Sequence, residues 1–333
     1  MTVPFINDPS GRTVQIHYLC SGPINNSFPV IFWEADITHG MSDFWGLQMT
    51  FADAGYRSCV WDKLGQGYSD YYFFDTTSQY QDQYYHNFIS MLTEKKPMIF
   101  ASWSGGAGSQ YQYALQHPEN VHSMLFIDVA PFGIEWEMER VFKNLTAQQT
   151  AEYKRIDRLG RNAIFGILRA LGVPWGLSTI FVPPPTPGSY KPADRVDEYR
   201  WFYITEKTWT SQFFLLDEYF NDTNNPYAIS LPTTSTISIN NLMVRQNTST
   251  LTAVRCTGPI AVGSAACSDQ VARDVYLQDK KVELWRNLTS NLARPGNLSF
   301  CTDETCKGDS FVLRNPAMTL REFKRIYAGV SIP

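Results

Sequence analysis

The run Met98-Ile99-Phe100-Ala101-Ser102-Trp103-Ser104-Gly105-Gly106 holds the side chain of this sequence best placed to act as a nucleophile. Residues 97–101 form a short apolar run suited to a buried strand, and a helix is expected from about Gly106 to Gln116, ended by Pro118. A strand that turns into a helix through small residues holds the residue at the turn in a strained conformation, with its side chain projecting. Ser104 stands at that turn, with Ser102 and Gly106 two residues to either side. A serine hydroxyl attacks an ester or amide carbonyl only with help. A base near neutral pKa must take its proton, a carboxylate must orient that base, and N–H groups must hold the oxyanion. The chain has five histidines, and none follows His122.

A second segment supports the first. Trp61-Asp62-Lys63-Leu64-Gly65-Gln66-Gly67-Tyr68-Ser69-Asp70 resembles the D-x-x-G-x-G-x-S-D loop of the α/β-hydrolase superfamily, in its proline-iminopeptidase-like and esterase-like branch. The segment around Ser104 then resembles that family's nucleophile elbow, G-x-S-x-G, with Ser102 in place of the first glycine. Val30 to Trp45 resembles the family's strand and oxyanion loop, with Glu34-Ala35-Asp36 where His-Gly or Glu-x-Gly is usual. Gln116 to Val121 resembles the helix end that leads into the next strand. The resemblance covers residues 12–135 well and 256–330 more faintly. It implies Ser104 as nucleophile position, and an oxyanion hole from the N–H of Gly105 and of a residue near Ala35 or Asp36.

The same resemblance exposes a gap. In the family the histidine follows the last strand, in a pattern resembling G-H, six residues, then P. Here Gly308 and Pro316 keep that spacing, and Asp309 stands in the histidine's place. An aspartate has a pKa of about 4 unless buried, and would put negative charge where an oxyanion must form. The acid, expected after a strand at 259–263, falls near Ala266, with Asp269 the nearest carboxylate. Asp128, ending the strand after the elbow, is read as a strand-end turn residue. His39, in the loop near the oxyanion hole, is the one candidate substitute base. His17, His86, His117 and His122 read as structural.

The elements that must position these residues alternate. Strands are expected at 14–19, 29–33, 56–61, 97–101, 123–129, 259–263 and 297–301. Helices are expected at Phe44–Ala54, Tyr84–Glu94, Gly106–Gln116, Val271–Leu292 and Thr319–Tyr327, with 231–255 ambiguous. This is an α/β pattern, a doubly wound and mostly parallel sheet. Residues 135–230, aromatic-rich and interrupted by Pro183-Pro184-Pro185-Thr186-Pro187, read as a helical cap inserted between core segments 1–134 and 231–333.

The 333 residues, 44% hydrophobic, suffice for a large core, and with a net charge of −4 and no Lys/Arg stripe nothing suggests a nucleic-acid partner, so none is expected. No apolar run is long enough to span a bilayer. Six asparagines, Asn25, Asn144, Asn221, Asn247, Asn287 and Asn297, fit N-x-[ST], against roughly two or three expected by chance. Six cysteines lie in three loose couples, Cys20 and Cys59, Cys256 and Cys267, Cys301 and Cys306, among fifteen possible pairings. No spacing suggests a metal site, and no cofactor is expected. The family's strand order makes the strands of Cys20 and Cys59 neighbours; the other couples bracket the 259–263 strand and the loop of Asp309. Sequons and cysteines together place the chain in an oxidising, extracellular compartment or at the cell surface. Residues 1–10 lack the features of a signal peptide, so a leader is expected to have been removed or to lie outside the sequence. The expectation is a glycosylated, catalytically inactive protein used for binding or assembly with other subunits or itself. The alternative is a secreted serine hydrolase acting through Ser104.

Overall fold

In the computed structural model the described residues are 1–333 without 5–10, 26, 37–38, 72–77, 93, 95–96, 168–169, 171–204, 206, 209–225, 229–230, 233–234, 257–260, 302–314 and 329–333. A seven-stranded sheet runs through the centre. It contains β3 (Tyr18–Ser21), β4 (Ile31–Glu34), β5 (Ser58–Trp61), β6 (Met98–Trp103), β7 (Val121–Ile127), β8 (Ser238–Val244) and β9 (Leu298–Cys301), in the order β3-β5-β4-β6-β7-β8-β9. Only β3 runs antiparallel to its neighbour. A separate ribbon pairs β1 (Thr2–Pro4) with β2 (Thr13–Gln15).

Both faces of this sheet are covered, which is why its strands are continuous apolar runs. Successive side chains alternate between two cores. Phe32, Phe88, Phe100 and Phe126 belong to one core, with α2 (Ser78–Met91), α3 (Ala107–Gln116) and α7 (Ala265–Thr289). Ile31, Trp33, Phe44, Phe51 and Trp103 belong to the other, with α1 (Met41–Asp53) and α8 (Pro316–Ile326). Between β7 and β8 the chain forms α4 (Ile134–Phe142) and α5 (Ala147–Ile167). Helix α4 is tied to α7 by Arg273–Glu139 at 2.8 Å and by the Tyr276 hydroxyl donating to Glu137 at 2.6 Å.

Two expectations change. Residues 14–19 are not one strand: β2 and β3 belong to different sheets, and His17 lies between them. Its N–H donates to the Ser69 hydroxyl and its carbonyl accepts from Asp62 N, each at 2.9 Å, so neither group is left for a ladder. Of the strand expected at 259–263, residues 261–263 form a turn, and 257–260 lie outside the described residues. The late strand is β8, inside the ambiguous stretch, followed by α6 (Thr248–Arg255). Asn240 and Asn241 disguise it: both are buried, and Asn240 bonds to Met124 O and Asn297 N.

Two disulfides join pairs of described residues. Cys20–Cys59 joins directly opposed residues of β3 and β5, and Cys256–Cys267 joins the end of α6 to the first turn of α7. Cys301 is also disulfide-bonded; Cys306 lies outside the described residues. Among the described residues no helix is long and apolar enough to cross a membrane.

Candidate active site around Ser104

Strand β6 delivers Ser104 to the C-terminal edge of the sheet. Ser104 has φ 51°, a conformation that costs an L-residue roughly 1–2 kcal/mol. Ser102 is fully buried and donates its hydroxyl to Gln110, whose amide donates to Phe32 O at 3.0 Å. The residue that departs from the usual glycine thus fastens the elbow strand to α3 and β4. Gly106 is required by contact: a Cβ there would lie 2.2 Å from Ala35 O. The bare glycine lets the loop after β4 lie against the elbow.

The loop of Asp62 supports this edge from below. The buried Asp62 carboxylate accepts from Met41 N at 2.9 Å, capping α1, from Tyr68 N at 3.2 Å and from His17 Nδ1 at 3.1 Å. Gly67 has φ 46°, and a Cβ on it would lie 2.2 Å from that carboxylate. Ser69 donates to Asp62 O at 2.5 Å. The motif is therefore a folding device rather than a reacting group. Lys207 Nζ donates to Gly67 O and Ser69 O at 2.6 and 2.7 Å, and burial lowers its pKa.

The residues expected at the oxyanion hole do converge. Gly105 N donates at 2.9 Å to a carboxylate oxygen of Asp36. The other Asp36 oxygen lies 3.6 Å from His39 Nδ1. The His39 ring makes an edge contact with Trp103, centroids 4.7 Å apart, so this imidazole sits beside the residue that precedes the serine. Beneath them Glu34, wholly buried, accepts from Trp61 Nε1 at 2.6 Å and pairs with Lys63 Nζ at 3.2 Å. Burial raises the Glu34 pKa, and Lys63 opposes that rise.

The expected acid and base positions differ. Asp269 is not at a strand end; it lies on α7, exposed, and pairs with Arg273 at 2.8 Å. The true late strand, β8, is followed by Arg245-Gln246-Asn247, none of them a carboxylate. Asn247 instead caps α6, accepting from Thr250 N at 2.8 Å. Asp128 follows Ile127, which pairs with Trp103, so Asp128 and Ser104 lead off adjacent strands. It has φ 52°, is buried, and binds Lys281 Nζ at 2.7 Å. Asp309 lies outside the described residues. Among the described residues none hydrogen-bonds to the Ser104 hydroxyl. His122 and His117 lie at or before the start of β7, the opposite edge of the sheet, and burial lowers the His122 pKa. His86 stacks on His117 with centroids 3.9 Å apart.

Sequence reading gave Glu34 and Lys63 only as members of quoted segments, without a role, and passed over Lys207 and Lys281. A glutamate closing an apolar run, and a lysine beside Asp62, are the signals that could have marked the first two. Lys207 and the α7 residue Lys281 carry no local signal. Of the sequon asparagines, Asn25, Asn144, Asn247, Asn287 and Asn297 are exposed, and Asn221 lies outside the described residues. The Asn297 amide donates to Ile326 O at 3.1 Å.

Strained serine, flanking loop and sheet order together define the α/β-hydrolase fold, and solved structures agree. An esterase from Thermogutta terrifontis with malate bound superposes with TM-score 0.56, 10% identity, and 98% and 97% of the two chains covered. An epoxide hydrolase from Bacillus megaterium gives TM-score 0.59 at 12% identity, covering 98% and 100%. The enol-lactonase of Burkholderia xenovorans gives TM-score 0.54 at 11% identity, covering 98% and 100%. No family model matches the chain, and no curated protein matches it in sequence. The chain has the α/β-hydrolase fold.

Proposed function

We propose that this protein is a serine hydrolase of ester-type bonds, with Ser104 as its nucleophile. One observation carries this reading: Ser104 is held at φ 51° at the end of a buried strand. Backbone strain persists only where surrounding structure enforces it, and such strain concentrates at reacting residues. The esterase and the enol-lactonase with this fold support the reaction class. In this reading His39 is the base and Asp36 its orienting carboxylate, as the 3.6 Å approach of Asp36 to Nδ1 suggests. Gly105 N–H is an oxyanion donor. The histidine must swing toward Ser104 when substrate binds, since catalytic hydrogen bonds often tighten only in the substrate complex.

A second reading is favoured by the Asp36 carboxylate lying on the Gly105 amide. A donor already holding an anion is closed to a developing oxyanion, as in a protein that binds without turnover. A fluorophosphonate probe separates the two. Labelling that disappears in Ser104→Ala and falls at least tenfold in His39→Ala supports the hydrolase. No labelling of the native chain sinks it in favour of the binding protein.

We further place the chain in the secretory pathway, with glycans on exposed sequons. The disulfides and the exposure of Asn25, Asn144, Asn247 and Asn287 support this. Chain expressed in a eukaryotic host should lose mass on treatment with an N-glycan-cleaving amidase. An unchanged mass would remove the proposal.

A further inference from the structure

The buried pair of Glu34 and Lys63 has no part in the chemistry above, yet it lies directly under the loop that faces the elbow. Lys63 is 8% exposed and Glu34 fully enclosed. An ammonium has three hydrogens to donate. Lys63 Nζ donates to Ala35 O at 2.7 Å and Asp36 O at 3.0 Å, and forms an ion pair with a Glu34 carboxylate oxygen at 3.2 Å. Glu34 is in turn fixed by Trp61 Nε1 at 2.6 Å. Both hydrogen bonds of the ammonium thus go to consecutive backbone carbonyls, with its charge matched by Glu34.

That pattern has a directional consequence. A planar trans peptide points its C=O and N–H opposite ways. With Ala35 O drawn to Lys63, the N–H of Asp36 faces away from the ammonium. The position of the loop is limited from the other side by Gly106, where a Cβ would meet Ala35 O at 2.2 Å. Held between ammonium and glycine, residue 36 has its carboxylate 2.9 Å from Gly105 N.

We propose that Lys63, neutralised by Glu34, is a positioning residue of the Ser104 site: it holds the carbonyls of Ala35 and Asp36 and thereby seats the Asp36 carboxylate on the Gly105 amide. The inference deepens the site of the proposed hydrolase and takes its functional meaning from that reading. Lys63 touches no reacting atom. It acts through Asp36, which must leave the amide before an oxyanion can occupy it.

Hydrogen exchange at the single amide of Gly105 tests this in the full chain. Losing a bond to a charged acceptor is expected to speed exchange at Gly105 at least tenfold in Asp36→Ala. The same acceleration is expected in Glu34→Gln/Lys63→Met, a pair of changes that leaves no buried charge alone. Amides of Ile99, Phe100 and Ala101 in β6 should keep their native rates, which separates a local release from general destabilisation. Adding Asp36→Ala to the double variant should give no further acceleration, because both act on one contact. Lys63→Arg, which keeps the charge and the donors, should keep the native rate. An unchanged Gly105 rate in Glu34→Gln/Lys63→Met overturns the proposal. So does equal acceleration at Gly105 and in β6, which would make the pair merely structural. No rate here depends on Ser104 reacting, so a chain that resists the fluorophosphonate refutes the hydrolase reading and leaves this one standing.

Discussion

Gly106→Ala isolates the contact on which the site is built. Gly106 has φ −66° and ψ −19°, a conformation alanine adopts freely. On backbone grounds alone the substitution should stabilise by about 0.4–1 kcal/mol, through the unfolded chain. Contact reverses that sign. The added Cβ would lie 2.2 Å from Ala35 O and 2.9 Å from Ala35 C and Glu34 Cγ. The nearest atom is backbone and cannot rotate away, so Ala35 must retreat by roughly 1 Å to reach ordinary contact. That movement disturbs the 2.7 Å bond that the same oxygen accepts from Lys63. Overpacking costs about 1–3 kcal/mol, and a hydrogen bond to a charged group adds about 1.5–3. The net expectation is a loss of roughly 2–5 kcal/mol, or a Tm lower by about 3–7 °C for a chain of this length. Differential scanning calorimetry of the native chain, Gly106→Ala and Gly160→Ala measures it. Gly160 lies in α5 with nothing within 4 Å of its Cβ position, so its substitution should stabilise slightly. If Gly106→Ala behaves like Gly160→Ala, the close apposition of loop and elbow is wrong.

Other outcomes follow from the same structure. Asp128→Asn leaves buried Lys281 without its 2.7 Å partner and should cost about 3–5 kcal/mol. Adding Lys281→Met should recover most of that loss, and additive losses in denaturant titration would refute a paired role. Burial raises the pKa of Tyr327 to about 12, against about 10 in the unfolded chain. The neutral phenol is the form the fold favours, so its contribution is complete below pH 10 and is lost as pH rises from 10 to 12, roughly 3 kcal/mol in all. Tyr327→Phe should flatten that stretch of a Tm-against-pH curve, and an equal alkaline fall in both proteins would contradict the assignment. Cys20 and Cys59 are separated by 39 residues, so Cys20→Ala/Cys59→Ala should lower stability by about 4 kcal/mol. A loss under 1 kcal/mol in urea would show that the bridge constrains little.

Much of the site could be read locally, because its geometry is local. A strand meeting a helix through Ser102-Trp103-Ser104-Gly105-Gly106 leaves few conformations open, and the positive φ of Ser104 is the one expected of that turn. The loop from Asp62 to Asp70 was equally readable, since Gly65 and Gly67 both take positive φ within ten residues. The late strand was missed because Ser238-Ile239-Asn240-Asn241-Leu242 looks polar. Asn240 is buried because Met124, Tyr327 and residue 297 arrive from elsewhere to bond its amide. That error carried Asp269 into the acid position.

What the sequence by itself determined was the order of elements and the location of a serine turn, since both arise from contacts among near neighbours. Only the tertiary structure decided what surrounds that serine. Asp36 meets Gly105 across 69 residues and Lys281 meets Asp128 across 153. An ionisable side chain acts according to the charge and burial it finds on folding, and those partners come from strands that no local pattern brings together.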